Sequence, residues 1–564
     1  MRTRKTLPKG DAVRLMPGLS REEFLKLGGA SLAGAALLGT AGCGSVFSGG
    51  SGGGGSTDSV KQNMIWNIGD TIRDMDTTTT TDSASFDIIL NVMSGLYRLD
   101  PDARPVPDLA ESVDISSDKL NYTFTLRDGI KWSNGDPVTS NDFKYAWLRV
   151  LDPKTASQYA FIISTYIKGA NEYNTGKGSA DGVAIEAPDD KTLKVTLVAP
   201  SPFWLGLTAF FTYMPQNQKF VEEQGDNYAQ NADGLITNGP YLLTDFKPTE
   251  GTTMVKYKDY WNADNVQIEK NEGKIVKDEN TAVNLYNTGE MDETEIHGEF
   301  INEYKGKPDF TTKTFFATFN FSFNYDEPLF QNLNVRKAIL MGVDLKTLVN
   351  DINNNGSVAA TGYVPDGIAG PGKQTFREAE GPTMPAYDVA KAKELYKKGV
   401  EEVGDNPTIE LLSYDDSAAR DVATFFQSQL KKIGMNTKIK IQPFDRKLEL
   451  EANGSFQLSF NGWIADYNDP MTFLDLWTSD SSFNTGKYSN PKYDKLIADA
   501  QVEADFAKRM DMLLEAEKLL IEEDAALSPV YFDGRAYLLR PTITRFVNQP
   551  YGGGRDISLW TVKS

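Results

Sequence analysis

Residues 461–470 read Asn-Gly-Trp-Ile-Ala-Asp-Tyr-Asn-Asp-Pro, which sets one carboxylate, Asp466, between aromatic neighbours. Alternating Phe456, Leu458 and Phe460 lead into this segment as a strand, and Gly462 and Asp469-Pro470 bracket it as a turn. A carboxylate withdrawn from water in such a place can accept a charge-assisted hydrogen bond from an ammonium group, and Trp463 and Tyr467 supply apolar walls and a cation–π contribution. On residue chemistry alone, a turn with a solvated Asp466 beside a buried Trp463 is the favoured reading.

Other chemistries lack their parts. The chain has one Cys and one His, so neither an internal disulfide nor a Cys/His zinc shell can form. A Ser-His-Asp or Cys-His apparatus must run through His297, which lies in the polar run 291–300 with no strand-turn nucleophile element; it reads as a surface or structural residue. Asp351, Asn353, Asn355 and Gly356 match half of a calcium loop, but its twelfth position is Gly362, not glutamate. No Walker-type glycine loop occurs, and no spacing singles out a carboxylate pair for glycoside hydrolysis. Neither cofactor nor metal is expected.

The elements that must position Asp466 are mixed. Residues 122–127 alternate as a strand, 142–151 read as a helix entered at Asn141 or Asp142, 191–198 as a strand and 335–350 as a helix. Residues 408–414 and 437–442 read as strands around a helix that Ser417 caps and Gly434 ends, with Val422, Phe425, Phe426, Leu430 and Ile433 on its apolar face. That is a parallel βαβ unit. Residues 491–523 read as helical, broken near 504–506. At 564 residues the chain is too long for one core, and two or three lobes are expected.

The N-terminus reads as an address. Residues 1–42 hold seven basic and three acidic side chains and end in an apolar run, 27–38, too short to span a bilayer. Cys43, the only cysteine, follows Ala41-Gly42 as in bacterial lipoprotein signals, which implies lipidation there. Thr40 replaces the leucine usual in that motif, and Glu22 replaces the second arginine of a twin-arginine signal, so the export route stays open. The Gly/Ser-rich stretch within 43–60 reads as a flexible tether; its sixteen residues 44–59 reach about 20–24 Å. The remaining chain has 51 basic against 75 acidic residues, a net −24, which argues against a nucleic-acid partner. The stretch 201–211 is apolar but also short.

Seven blocks in order carry a family resemblance: LYRLDPDARPVPDL at 96–109, YTFTLRDGIKWSNGDPVTSNDFKYAWLR at 122–149, DPKTASQYA at 152–160, NGPY at 238–241 with KDYWN at 258–262, FQNLNVRKA at 330–338, GWIADYND at 462–469 and SSFNTGKY at 481–488. From residue 63 onward the chain resembles the oligopeptide-binding proteins of bacterial ATP-driven importers, solute-binding protein family 5. The resemblance implies an α/β clamp of the periplasmic-binding-protein type II kind, with mixed sheets flanked by helices, three lobes and a hinge between lobes. Lobe I is 61–93 with 219–324 and 533–564, lobe II is 94–218 and lobe III is 325–532. It implies that Asp466 holds a peptide's α-ammonium, that Trp463 and Ile464 pair their backbone with an extended peptide, and that Tyr159 lines the cavity. Phe444 stands where an aromatic pocket wall is expected, Thr81 and Ser83 supply backbone contacts from lobe I, and Tyr467 joins the site. Partners implied are an oligopeptide, permease subunits with their ATPases, and the outer face of the cytoplasmic membrane through the lipid alone; the protein is expected to be a monomer and not an enzyme. Residues 451–466 hold no Lys or Arg to clamp a peptide carboxylate, which leans toward longer or length-tolerant ligands. A nickel-chelate, sugar or signalling-peptide binder, an extracellular peptide hydrolase, and a chaperone-like surface protein are the alternatives.

Overall fold

The computed structural model describes residues 63–563. The export signal, Cys43 and the tether lie outside the described residues. No described helix is long and apolar enough to cross a membrane.

Eleven described strands form one mixed sheet. Its order is Thr437–Gln442, Ile409–Tyr414, Leu458–Ile464, Phe310–Phe323, Leu527–Leu539, Glu293–Ile296, Asn63–Asn67, Lys270–Lys274, Gly251–Lys256 and Tyr241–Lys247, with Val358–Ala359 added against Leu527–Leu539. Two long antiparallel strands, Phe310–Phe323 and Leu527–Leu539, join its halves. Their first rungs run Phe310↔Leu538 to Thr314↔Gly534 and resume at Thr318↔Phe532, with the register shifted between. Such an irregularity bends a ribbon and breaks its ladder.

A separate four-stranded antiparallel sheet is built within residues 110–196: Ala110–Ile115, Asn121–Leu126, Thr192–Thr196 and Ile185–Asp189. Tyr122, Phe124 and Leu126 are its buried face, as period-two alternation requires. Helix Ser140–Leu151 packs on it and starts earlier than the sequence suggested. Thr139 is its cap, closing a capping box with Asp142, whose carboxylate accepts from the Thr139 backbone N–H at 2.7 Å.

The parallel βαβ unit forms as expected, with Ile409–Tyr414 paired in parallel to Thr437–Gln442 around helix Ser417–Ile433. Gly434 ends that helix at φ 101°, a left-handed conformation that favours glycine. The cap is Asp416, not Ser417: its carboxylate accepts from the Ala419 N–H at 2.7 Å. The expected helix over 335–350 is also two pieces. Leu333–Gly342 stops at Val343, and Leu345–Thr347 begins again under an Asp344 cap. Helices Pro491–Val502 and Phe506–Lys518 flank the predicted break.

Candidate functional site

Strand Leu458–Ile464 lies beside the long strand Phe310–Phe323, with Trp463 opposite Thr318 and Ile464 opposite Ala317. Its other edge meets Ile409–Tyr414 at Leu458 and Ser459. Past Ser459 the described ladder with that neighbour has no further rung.

The turn after this strand is pinned. The Ala465 N–H donates to the Phe316 carbonyl at 2.7 Å, the Asp466 N–H to Thr472 Oγ1 at 3.1 Å, and the Gly552 N–H to the Ala465 carbonyl at 3.0 Å. Asp469 takes a bidentate pair from Arg509 at 2.7 and 2.9 Å. Pro470 then caps helix Met471–Leu474.

Asp466 is 6% exposed. One carboxyl oxygen accepts from the Tyr159 hydroxyl at 3.3 Å; the other, Oδ2, is buried with no protein partner. Burial first, then the neighbouring Asp475, pushes its pKa well above the usual carboxylate range, against a smaller lowering by the Tyr159 hydrogen bond. Asp475 is itself raised to about 8, by burial and then by Asp469, and its Oδ1 also has no protein partner. A buried carboxyl in this state is costly to ionise unless a cation comes to it.

Tyr159 brings an aromatic wall to that carboxyl. Its ring lies 5.8 Å from Phe161, 5.3 Å from Phe210, 5.4 Å from Phe211 and 6.4 Å from Phe86. Opposite them, Trp463 is half-buried with its indole N–H unpartnered and meets Phe483 edge-on at 4.9 Å; Phe483 in turn meets Phe161 at 5.6 Å. Tyr467 is fully buried, stacked on Phe203 at 4.8 Å with its hydroxyl 3.1 Å from that of Tyr166. Ile464 is half-buried at the strand end.

The remaining predicted residues lie on other elements. Phe444 is 37% exposed, stacks on Tyr414 at 5.8 Å and carries the Arg73 guanidinium 4.8 Å from its centroid. Thr81 and Ser83 are exposed at the start of helix Ser83–Val92, whose Phe86 faces Tyr159. The structure thus joins Asp466 and Tyr159 directly, and Tyr467 to the same turn. Sequence reasoning missed Phe161, Phe203, Phe210, Phe211 and Phe483. The apolar run 201–211, noted only for being too short to cross a membrane, was the signal for Phe203, Phe210 and Phe211.

His297 is not idle. It caps helix Gly298–Tyr304, with Nε2 3.3 Å from Glu295 and Nδ1 3.6 Å from Glu279. Burial disfavours its charge, but hydrogen bonds to Glu279 and Glu295 outweigh that and lift its pKa to about 10. The half calcium loop falls on a helical turn, Leu348–Asn353, and among the described residues no His/Cys/Asp/Glu group is arranged to hold a metal.

Known proteins share this fold. A model of bacterial extracellular solute-binding proteins, family 5 Middle, matches residues 104–485. The dipeptide-binding protein DppE of Bacillus subtilis is 35% identical over 473 residues, 83% of this chain and 86% of the relative. The oligopeptide-binding protein OppA of the same organism is 34% identical over 464 residues, 80% and 84%. Peptide-bound OppA of Listeria monocytogenes superposes with TM-score 0.82 at 35% identity, covering 89% of this chain and 99% of that one. The murein tripeptide-binding protein MppA of Escherichia coli gives 0.80 at 27% identity, covering 89% and 99%. An unliganded open form of MppA gives 0.65 at 28% identity, covering 89% and 97%. This chain belongs to the family 5 bacterial extracellular solute-binding proteins.

Proposed function

We propose that the chain captures extended oligopeptides outside the cytoplasm and delivers them to an ATP-driven importer. The observation that carries this reading is Asp466, a buried carboxyl with one oxygen unpartnered. A peptide's α-ammonium supplies the missing donor and the missing charge at once. Trp463 and Ile464, beyond the last rung with Ile409–Tyr414, suit main-chain pairing with an extended peptide, which gives affinity independent of side chains. The aromatic wall of Tyr159, Phe161, Phe210 and Phe211 offers apolar area to varied residues. The names of the relatives, dipeptide- and oligopeptide-binding proteins, agree with this ligand class.

In this reading the three lobes follow the expected limits, 61–93 with 219–324 and 533–564, then 94–218, then 325–532. The hinge between the first and third lies where the two long strands lose register between Thr314 and Thr318. Cys43 carries the lipid that holds the protein at the outer face of the membrane, where it meets the permease. The chemistry is binding, not catalysis.

Native mass spectrometry of the purified chain tests the ligand class. Peptides of mixed mass released on denaturation are the expected result. A chain that releases none, and gives no calorimetric heat with short free-amine peptide libraries, overturns the reading.

A further inference from the structure

Phe203 stands in the apolar run 201–211 and, once folded, lies in a box of three side chains. Its ring stacks on Tyr467 at 4.8 Å with the planes 16° apart, meets Tyr166 edge-on at 5.4 Å, and sits 5.0 Å from the Arg509 guanidinium carbon. Phe203 and Tyr166 come from the side that holds the four-stranded sheet. Tyr467 follows Asp466 on the turn of the large sheet, and Arg509 is fixed to that same turn by its two hydrogen bonds to Asp469. The Tyr166 and Tyr467 hydroxyls add a bond at 3.1 Å across the same seam. The box therefore has one wall built in advance and one ring delivered to it from the facing side.

We propose that Phe203 is a positioning residue that latches the side holding the four-stranded sheet to the Asp466 turn, so that it sets how long a captured ligand stays and not which ligand is chosen. This rests on the cleft being the capture site. Asp466 itself is held across the seam by the Tyr159 hydroxyl, not by Phe203. Its contribution comes from an aromatic stack and a cation–π contact that exist only while the two sides meet. In a clamp that opens to release, removing such closed-state contacts speeds dissociation far more than association. The lower TM-score to the open form of MppA, 0.65 against 0.80 for the other MppA structure, is a difference between structures of one relative that locates this chain nearer to the second.

The test uses the full chain with Cys43→Ser and spin labels at Lys177→Cys and Lys397→Cys, two exposed sites on the facing sides. Tetra-alanine and N-acetyl-tetra-alanine are the probes. With tetra-alanine, Phe203→Ala should gain a longer label distance and release the probe about 10- to 100-fold faster. Phe203→Tyr, which keeps the stack, should stay near the parent, and the penalty for acetylation should be the same in all three. Unchanged distances and release rates in Phe203→Ala overturn the latch, as does a lost acetylation penalty, which would make Phe203 part of ligand recognition. If Phe203→Ala loses its fold by circular dichroism, Phe203→Leu carries the same expectation. If the parent binds no tetra-alanine, the peptide reading fails instead, and the latch stands or falls on whether Phe203→Ala lengthens the label distance in the ligand-free chain.

Discussion

A carboxyl buried without a counter-charge weakens the fold that carries it unless it keeps its proton. Asp466 and Asp475 are both in that state, with pKa values raised first by burial. The sign follows directly. Below the unfolded value of 3.8 both states are protonated; above it the unfolded chain ionises while the folded chain does not, so stability present at low pH is lost as pH rises toward the raised folded value, about 8 for Asp475. Asp466→Asn should therefore melt higher than the parent when both are free of ligand, and the gap should widen as pH rises above 3.8, by at most about 1.4 kcal/mol per pH unit. A gap that is flat or reversed in thermal melts contradicts the account. His297 behaves oppositely: its folded pKa is raised to about 10, so its contribution is present below its ordinary 6.5 and fades as pH rises through 10. At 37% side-chain exposure the effect is screened and small. Asp466 stood out in the sequence between aromatic neighbours, but its role came from the family resemblance, as did that of Tyr159, its hydrogen-bond partner 307 residues away.

At the scale of elements, the turn depends on how the strand before it lies. A Cβ at Gly462 would come 2.7 Å from the Phe319 ring, which is stacked between Phe460 at 5.5 Å and Tyr531 at 4.8 Å and has little room to yield. Gly462→Ala should cost about 1–3 kcal/mol by overpacking and weaken ligand binding by displacing Trp463 to Asp466, read by denaturant melts and calorimetry. Wild-type values for both would show that strand position does not matter. Asp416→Ala should cost about 1 kcal/mol by removing the cap of helix Ser417–Ile433, whereas Ser417→Ala should be near neutral. Periodicity and a terminal glycine made this helix readable from sequence. The cap was misread because Asp416 and Ser417 are adjacent and both can cap; only the geometry of the bond to the Ala419 N–H chooses. A Cβ at Gly342 would meet Ile433 at 2.8 Å, so a glycine there serves close helix packing that local sequence does not reveal.

For the whole molecule, the eleven-stranded sheet was not readable in advance. Its central pairs join residues far apart, Asn63 to Lys270 and Phe310 to Leu538, and period-two alternation says nothing about which strands pair. The parallel βαβ unit was readable because its parts are contiguous. The same long strands that unite the sheet also carry the register shift proposed as the hinge, so peptide addition should lower the radius of gyration of a ligand-stripped chain, toward about 23 Å for the roughly 500 described residues. Small-angle scattering that shows no compaction would remove the clamp. The most direct test of the central claim returns to the carboxyl the clamp closes on. Calorimetry of the parent and Asp466→Ala, each with a free-amine peptide and its N-acetylated form, should show a loss of about 2–5 kcal/mol in the variant for the free amine and little further loss for the acetylated peptide. Equal losses for both peptides would mean that Asp466 does not hold an α-ammonium.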